Sequence, residues 1–510
     1  MLFRSSPNRW LVLLAVMLAF LPIVLDLTIL HVAIPSLTLA LHATGTEVLW
    51  IIDVYPLLMA SLLIPMGTLA DRIGHRRLLL LGLSVFCLGS VAAAFSPTAL
   101  ALIGARALMA VGAAMVMPCT LAIIRQAFKD DGERATALGI WGAVGSAGAA
   151  LGPLAGGALL EHFWWGAVFL VNIPILMVVI PLVALLAPRR SVLTEGAWRP
   201  AQALVLMIGL MATVFALKTA LKGDGQMWVT VSTLVIGIAM LYWFVRTQLR
   251  STTPMLDVGL FAKPAISMGV VMALVVMGSL AGVELLLAQE LQFVLGRTPL
   301  QAGIFMLPLM IASAIGGPLA GAILNAVGLR FVAGGSLLLA AGSVAGLAYS
   351  DLHDPGIGIV AMLFSLGFSL GVGLTASSVA IMSSTPEEKA GSGGALEATS
   401  YDLGTGLGIA GFGLLLGVSY ERSIQLPDGI PSDVAVAASQ SIGEALMAAK
   451  TLASPLEQAV ATAGREAFSA SHSMVLTTAA IMLGVLGILI LAMARRVDFG
   501  GAHAGTSSEA

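Results

Sequence analysis

Charge is what this chain of 510 residues has least of. Only 10% of its residues are Asp, Glu, Lys or Arg, against roughly a quarter in a soluble domain. So few charges exclude a water-covered globule, and 58% hydrophobic residues with a mean hydropathy of +0.99 point to an integral membrane protein built of helices. Cysteine is nearly absent. Cys87 and Cys119 both fall inside apolar runs, so no disulfide framework exists and each reads as a small hydrophobe. The seven histidines, His31, His42, His75, His162, His353, His472 and His503, are scattered without metal-ligand spacing, and no metal site is expected. No Walker A sequence occurs, so ATP does not drive the protein by itself. A membrane enzyme would want a nucleophile–base or metal cluster at one face, and none is apparent. The net charge of −2 says nothing about partners; no nucleic acid and no cofactor is expected.

What the chain does have is long apolar runs. Fourteen segments, centred near residues 22, 58, 87, 112, 147, 176, 210, 236, 276, 311, 340, 368, 407 and 484, are each of a length to cross a bilayer, which takes ~20 helical residues. The first begins near Trp10 after Arg4 and Arg9 and is too long for a signal-peptide core, so it is expected to be retained. With a cytoplasmic N-terminus, Lys218, Lys222, Arg297, Arg422, Lys450 and Arg465 fall outside and Arg106 lies within a span. The remaining 18 of 25 Lys and Arg fall inside, a bias that places both termini in the cytoplasm. The halves also repeat: a shift of 254 residues lays Gly67, Asp71, Gly74 and Arg76 on Gly321, Asn325, Gly328 and Arg330, and Gly152 and Gly157 on Gly406 and Gly411. The organisation expected is an all-α membrane fold of fourteen helices, with a six-helix half over 1–190, a two-helix insert over 191–262 and a second six-helix half over 263–510. Segment 420–472 is the one long extramembrane stretch. Val434–Lys450 and Pro455–Phe468 within it read either as two short amphipathic helices on the outer mouth or as a solvated linker.

The most informative stretch is Gly67-Thr68-Leu69-Ala70-Asp71-Arg72-Ile73-Gly74-His75-Arg76-Arg77, a charge cluster wedged between the runs Ile51–Met66 and Leu78–Phe95. A loop this short must hold its charges at the membrane surface. Asp71 is placed to accept from the N-terminus of the next span or from an arginine of another helix. The pattern resembles the loop signature of the major facilitator superfamily, where it works as a latch on the cytoplasmic side. The resemblance assigns that role to Gly67, Asp71, Arg72, Gly74, Arg76 and Arg77.

Ionisable groups in mid-bilayer cost at least ~2.5–3.5 kcal/mol and invite a functional reading. Asp26 lies in Leu25-Asp26-Leu27-Thr28-Ile29-Leu30-His31-Val32-Ala33-Ile34-Pro35, similar to a span-one signature of the fourteen-span drug:proton antiporters, with His31 where Asn is usual. Arg106 lies in a run resembling the R-x-x-q-G motif of span four, with Ala110 in place of Gln. The resemblance ties Asp26 and Arg106 to proton coupling, and Asp26 is the first candidate to pair with that arginine. Span five ends Gly148-Ala149-Ala150-Leu151-Gly152-Pro153-Leu154-Ala155-Gly156-Gly157, where Gly148, Gly152, Pro153, Gly156 and Gly157 match the antiporter motif. Trp164-Trp165-Gly166-Ala167-Val168-Phe169-Leu170-Val171-Asn172-Ile173-Pro174 resembles the run that opens span six in that branch.

The second half supplies acids without bases: Glu284, Glu290, Glu397 and Asp402, with Tyr401 adjacent, while Asp53 and Tyr55 lie in the outer part of span two. Carboxylates facing a cavity with aromatic and Met walls suit a lipophilic cation, so Asp26, Glu284, Glu397, Asp402, Asp53, Tyr55 and Tyr401 are expected to bind substrate. The bland alternative puts Glu290, Asp53 and Glu397 near the span ends, in water. Together these features resemble SmvA/QacA-type exporters of quaternary ammonium compounds, methyl viologen, dyes and biguanides. The resemblance implies a monomeric proton-coupled antiporter of the bacterial inner membrane, with small organic cations, protons and the lipid bilayer as partners. A narrow exporter of an antibiotic, siderophore or other metabolite is the rival reading.

Overall fold

The computed structural model describes residues 8–188, 199–222, 227–251, 254–353, 356–385 and 390–493. Arg4, Arg189, Arg190, Lys389, Arg495, Arg496 and His503 lie outside the described residues. The first seven helices are α1 (Arg9–Leu41), α2 (Gly45–Ile73), α3 (His75–Ala94), α4 (Ala99–Ala127), α5 (Asp131–His162), α6 (Ala167–Leu170) and α7 (Asn172–Leu186). A pair follows, α8 (Pro200–Lys222) and α9 (Met227–Arg250). The rest are α10 (Pro264–Gln289), α11 (Pro299–Val327), α12 (Leu329–Ala348), α13 (Ile357–Ser384), α14 (Ala390–Ser423), α15 (Ser432–Gln440), α16 (Ile442–Ala449) and α17 (Leu456–Met493). Every predicted span centre falls within one of these helices. Thirteen helices among the described residues are long and apolar enough to cross a membrane; the segment centred near 147 falls in the 32-residue α5, which packs along α1.

Local chemistry sets the helix ends. At α2 the Thr44 side chain accepts from the Glu47 N–H while Glu47 reaches back to Thr44, and Thr298 with Gln301 builds the same capping box on α11. These two boxes are 254 residues apart, the same interval as the sequence repeat. Gly74 (φ 98°) and Gly328 (φ 85°) separate α2 from α3 and α11 from α12 in a conformation that a side chain disfavours. Two residues beyond each glycine an arginine ties the turn to another helix. Arg76 donates to the Ala184 carbonyl near the end of α7, and Arg330 to the Leu491 carbonyl near the end of α17. A cation at the negative end of a helix is favourable. Prolines inside α1, α2, α4, α5, α7 and α11 are tolerated because neighbouring helices and side chains take up the freed carbonyls.

The segment 420–472 folds differently from either expectation. Val434–Lys450 divides at Ser441 into α15 and α16, while Pro455–Phe468 is no separate amphipathic helix: residues from Leu456 onward belong to the 38-residue α17. The reason is continuity of helix propensity, since no Gly or Pro breaks the chain between Leu456 and the apolar run except Gly464, which packs against Ala445 and Tyr420. α16 seats over the start of α2, where Glu444 accepts from the Gly45 N–H at 3.1 Å.

Candidate ion-pair and transport site

The deepest charges lie where α1, α2 and α4 meet. Arg106 Nη1 donates to Asp26 Oδ2 at 2.7 Å and its Nε donates to the Ile51 carbonyl, also at 2.7 Å; both charged side chains are buried. The guanidinium stands 4.8 Å from the centre of the Tyr55 ring and 6.0 Å from that of Phe169, so two π faces add to its stabilisation. Asp26 Oδ1 and the Tyr55 hydroxyl have no hydrogen-bond partner. A buried oxygen left this way costs free energy until a proton or a cation meets it. Asp402 of α14 is buried as well, and its Oδ2 has no hydrogen-bond partner among the described residues. The residue before it, Tyr401, donates to Glu397 one turn back on α14 at 2.6 Å, and both are half-buried.

Two of the four acids of the second half, Glu284 and Glu290, do face a histidine, which corrects the sequence reading for them. His31 Nδ1 of α1 lies 3.1 Å from Glu284 Oε2 of α10, and both side chains are buried. His472 Nδ1 of α17 lies 3.1 Å from Glu290 Oε2, while Ser469 donates to Glu290 Oε1 at 2.5 Å. Local spacing holds no hint of these pairs, because each joins residues far apart in the chain. Asp53 and Glu290 do not sit in water at the span ends: both are buried. Glu290 occupies a π-helical turn, Glu290–Val294, where Gln292 reaches the Val32 carbonyl of α1.

Of the loop residues, Asp71 pairs with His75 at 3.2 Å, four residues on, and among the described residues with no arginine or helix N-terminus. His75 in turn meets Gln126 of α4. Arg72 and Arg77 are exposed. Gly67 has only Pro118 near the position of a Cβ, at 3.8 Å, so close approach does not require glycine there. The partners found for Asp71, His75 and Arg76 lie on α2, α3, α4 and α7. The side chain of Asn325, at the repeat position of Asp71, is outside the described set.

The span-five glycines do mark close approach. A Cβ at Gly152 would collide with Thr28 Oγ1 and stand 2.9 Å from the Ile29 nitrogen, while Gly148 and Gly156 face Val24 and Ile29 of the same helix. On its other side, α5 meets α11: Gly157 lies against Leu300 and the Pro153 carbonyl against Gly303. Glu161 accepts from the Thr298 hydroxyl at 2.8 Å. Likewise α2 meets α14, with Leu49 against Gly413 and Leu57 against Gly406. These approaches lie toward the end of the bundle opposite the Asp71–Arg77 loop. There too a cavity of about 710 Å³ opens between α1, α2, α8 and α14–α16, walled by Trp50, Phe215, Phe293 and Tyr420.

The sequence profile described as the Major Facilitator Superfamily matches residues 16–409. The chain belongs to the major facilitator superfamily. It is 48% identical over 481 residues to the methyl viologen resistance protein SmvA of Salmonella typhimurium strain LT2, covering 94% of this chain and 97% of that protein. It is 36% identical over 489 residues to the multidrug efflux pump LfrA of Mycolicibacterium smegmatis, covering 94% and 95%. In structure it resembles an inward-facing, unoccupied bacterial homologue of the human lysosomal transporter Spinster, with a TM-score of 0.69 at 18% identity over 98% of this chain and all of the other. That likeness shows the fold. As a major facilitator, the protein is a multi-pass transporter of the inner membrane and not an enzyme.

Proposed function

We propose that this major facilitator is a monomeric proton-coupled antiporter that exports lipophilic organic cations, including quaternary ammonium compounds, methyl viologen, dyes and biguanides. The observation that carries the reading is the buried Asp26–Arg106 pair, with Asp26 Oδ1 lacking a hydrogen-bond partner among the described residues and a further buried acid, Asp402, on α14. Its similarity to a methyl viologen resistance protein and to a multidrug efflux pump supports the substrate class. Fourteen spans in a 6+2+6 arrangement, over 1–190, 191–262 and 263–510, put the basic Asp71–Arg77 end in the cytoplasm with both termini. The close approaches of α5 to α11 and α2 to α14 then shut the outer side.

In this reading a cation entering from the cytoplasm is met by ionised acids in a low-dielectric cavity. Asp26, Glu284, Glu397, Asp402 and Asp53 supply charge, and Tyr55 and Tyr401 supply ring faces. After the halves rock, protons from outside neutralise the acids and release the cation. Arg106, which keeps its proton and its need for a partner when buried, stays against Asp26 until that step. No cofactor is called for. Each charge crossing the field is worth ~2.3 kcal/mol per 100 mV, so proton number relative to substrate charge sets the gradient that can be sustained. The test is dye or methyl viologen uptake into everted vesicles energised by a proton gradient. Uptake that an uncoupler abolishes supports antiport, whereas uptake indifferent to the uncoupler overturns it, and uptake of a metabolite alone favours the narrow exporter.

A further inference from the structure

The α8–α9 pair carries a feature that transport of cations does not use. Trp243, Arg246, Thr247 and Arg250 recur at helical spacing on one face of α9, and with Arg199 and Ser251 they line a cavity of about 550 Å³. No acid lines it. Arg199 immediately precedes α8 and donates to Ser251 Oγ at 3.4 Å, so the N-terminal end of α8, with its partial positive charge, opens on the same site.

The site is built, not accidental. Buried Gln248 takes its place on the opposite face of α9: its Nε2 donates to Gln202 of α8 at 3.0 Å, and its Oε1 accepts from the N–H groups of Met255 and Leu256. One side chain thus clamps α8 to α9 and folds back the segment after Arg250. Elsewhere α9 is turned outward. Val231, Val235, Ile238, Tyr242, Trp243 and Leu249 are exposed apolar or aromatic side chains, which in a bilayer face lipid. Tyr242 and Trp243 mark the level of the membrane interface, and the arginines stand one to two turns beyond it, at headgroup depth.

We propose that the Arg199–Arg246–Arg250 cavity binds the phosphate headgroup of an anionic phospholipid, whose acyl chains lie along the exposed face of α9. Guanidinium groups match phosphate oxygens in pairs of parallel hydrogen bonds, and basic pockets between membrane helices select anionic headgroups. A free phosphate offers the same oxygens but gains nothing from the apolar face, which argues for the lipid.

The experiment places the purified full chain in bilayer discs of phosphatidylcholine with a minor fraction of phosphatidylglycerol, re-extracts it, and reads retained lipid by native mass spectrometry. Phosphatidylglycerol should be enriched, and Arg199→Gln/Arg246→Gln/Arg250→Gln should lower that enrichment roughly fivefold per arginine, on the order of 100-fold in all at low salt. Equal retention by the wild type and the triple variant overturns the proposal. So does stoichiometric binding of inorganic phosphate by lipid-free protein that displaces the phosphatidylglycerol. A second measurement leaves the arginines intact: phosphatidylglycerol brominated on its acyl chains should quench a tryptophan component that Trp243→Phe lacks, and identical quenching in the two proteins refutes the placement.

Discussion

Replacing Asp26 separates the structural from the transport role of the central pair. Arg106 would keep the Ile51 carbonyl at 2.7 Å and the Tyr55 face at 4.8 Å, but lose the one carboxylate it meets among the described residues. Breaking a buried pair by removing one partner costs about 3–5 kcal/mol in soluble proteins. An asparagine carbonyl still accepts from the guanidinium, and a hydrogen bond to a charged group returns about 1.5–3 kcal/mol of that. We therefore expect Asp26→Asn to lose about 2 kcal/mol and Asp26→Ala the full amount. Asp26→Ala/Arg106→Leu should recover most of the stability, because no uncompensated charge remains. All three should abolish proton-driven export, since none can cycle between an ionised and a protonated acid at this place. The assays are unfolding of detergent-purified variants followed by tryptophan fluorescence, and efflux from energised cells with and without an uncoupler. Wild-type export in Asp26→Asn would remove Asp26 from the mechanism. Equal stability of Asp26→Ala and the double variant would refute the electrostatic account of the pair.

Glu284→Gln removes one carboxylate from the cavity and leaves His31 without that partner; a dication needs two carboxylates for full compensation in a low-dielectric cavity where a monocation needs one. Methyl viologen export should fall well below that of a matched monovalent dye, and equal losses would assign Glu284 to coupling or folding instead. Gly152→Ala drives a methyl group into Thr28 Oγ1 and the Ile29 backbone, an overpacking worth about 1–3 kcal/mol. It should depress export and stability together, with partial rescue by Thr28→Ala; undiminished export would show that α1 and α5 need not approach so closely. Asp71→Asn removes an exposed pair worth less than about 1 kcal/mol, so membrane abundance should hold while export slows several-fold; absence from the membrane, or full activity, counts against the latch. Asp351, held below its ordinary value of 3.8 by the backbone N–H and ring of His353, contributes fully above the ordinary carboxylate range and loses that contribution as pH falls through the lowered value. His353→Ala should raise the Asp351 titration seen by NMR and leave efflux at neutral pH unchanged.

Much of the fold could be read from composition, because a chain in lipid must satisfy its backbone within each segment and so writes its spans as apolar runs. The turn between α2 and α3 was legible for the same kind of reason: Gly74 needs no context to favour a positive φ. The antiporter glycines were legible as small residues, but which helix they admit was not; only the packed bundle puts Thr28 and Ile29 against them. The Asp26–Arg106 pair could be suspected, since an arginine kept in mid-bilayer demands a partner and α1 carries the nearest candidate. The pairs His31–Glu284 and His472–Glu290 could not, because a histidine in an apolar run is equally a core residue until a carboxylate 253 or 182 positions away is folded against it. Asp71 went to His75 rather than to an arginine because the helical register on either side of Gly74 brings them within 3.2 Å, a matter of turn geometry. Chain-local chemistry, such as apolar length, caps and glycine turns, is decided by the sequence itself. Which buried charges neutralise one another is decided by helix packing, since Coulomb energy in a low-dielectric interior depends on distances that only the tertiary structure sets.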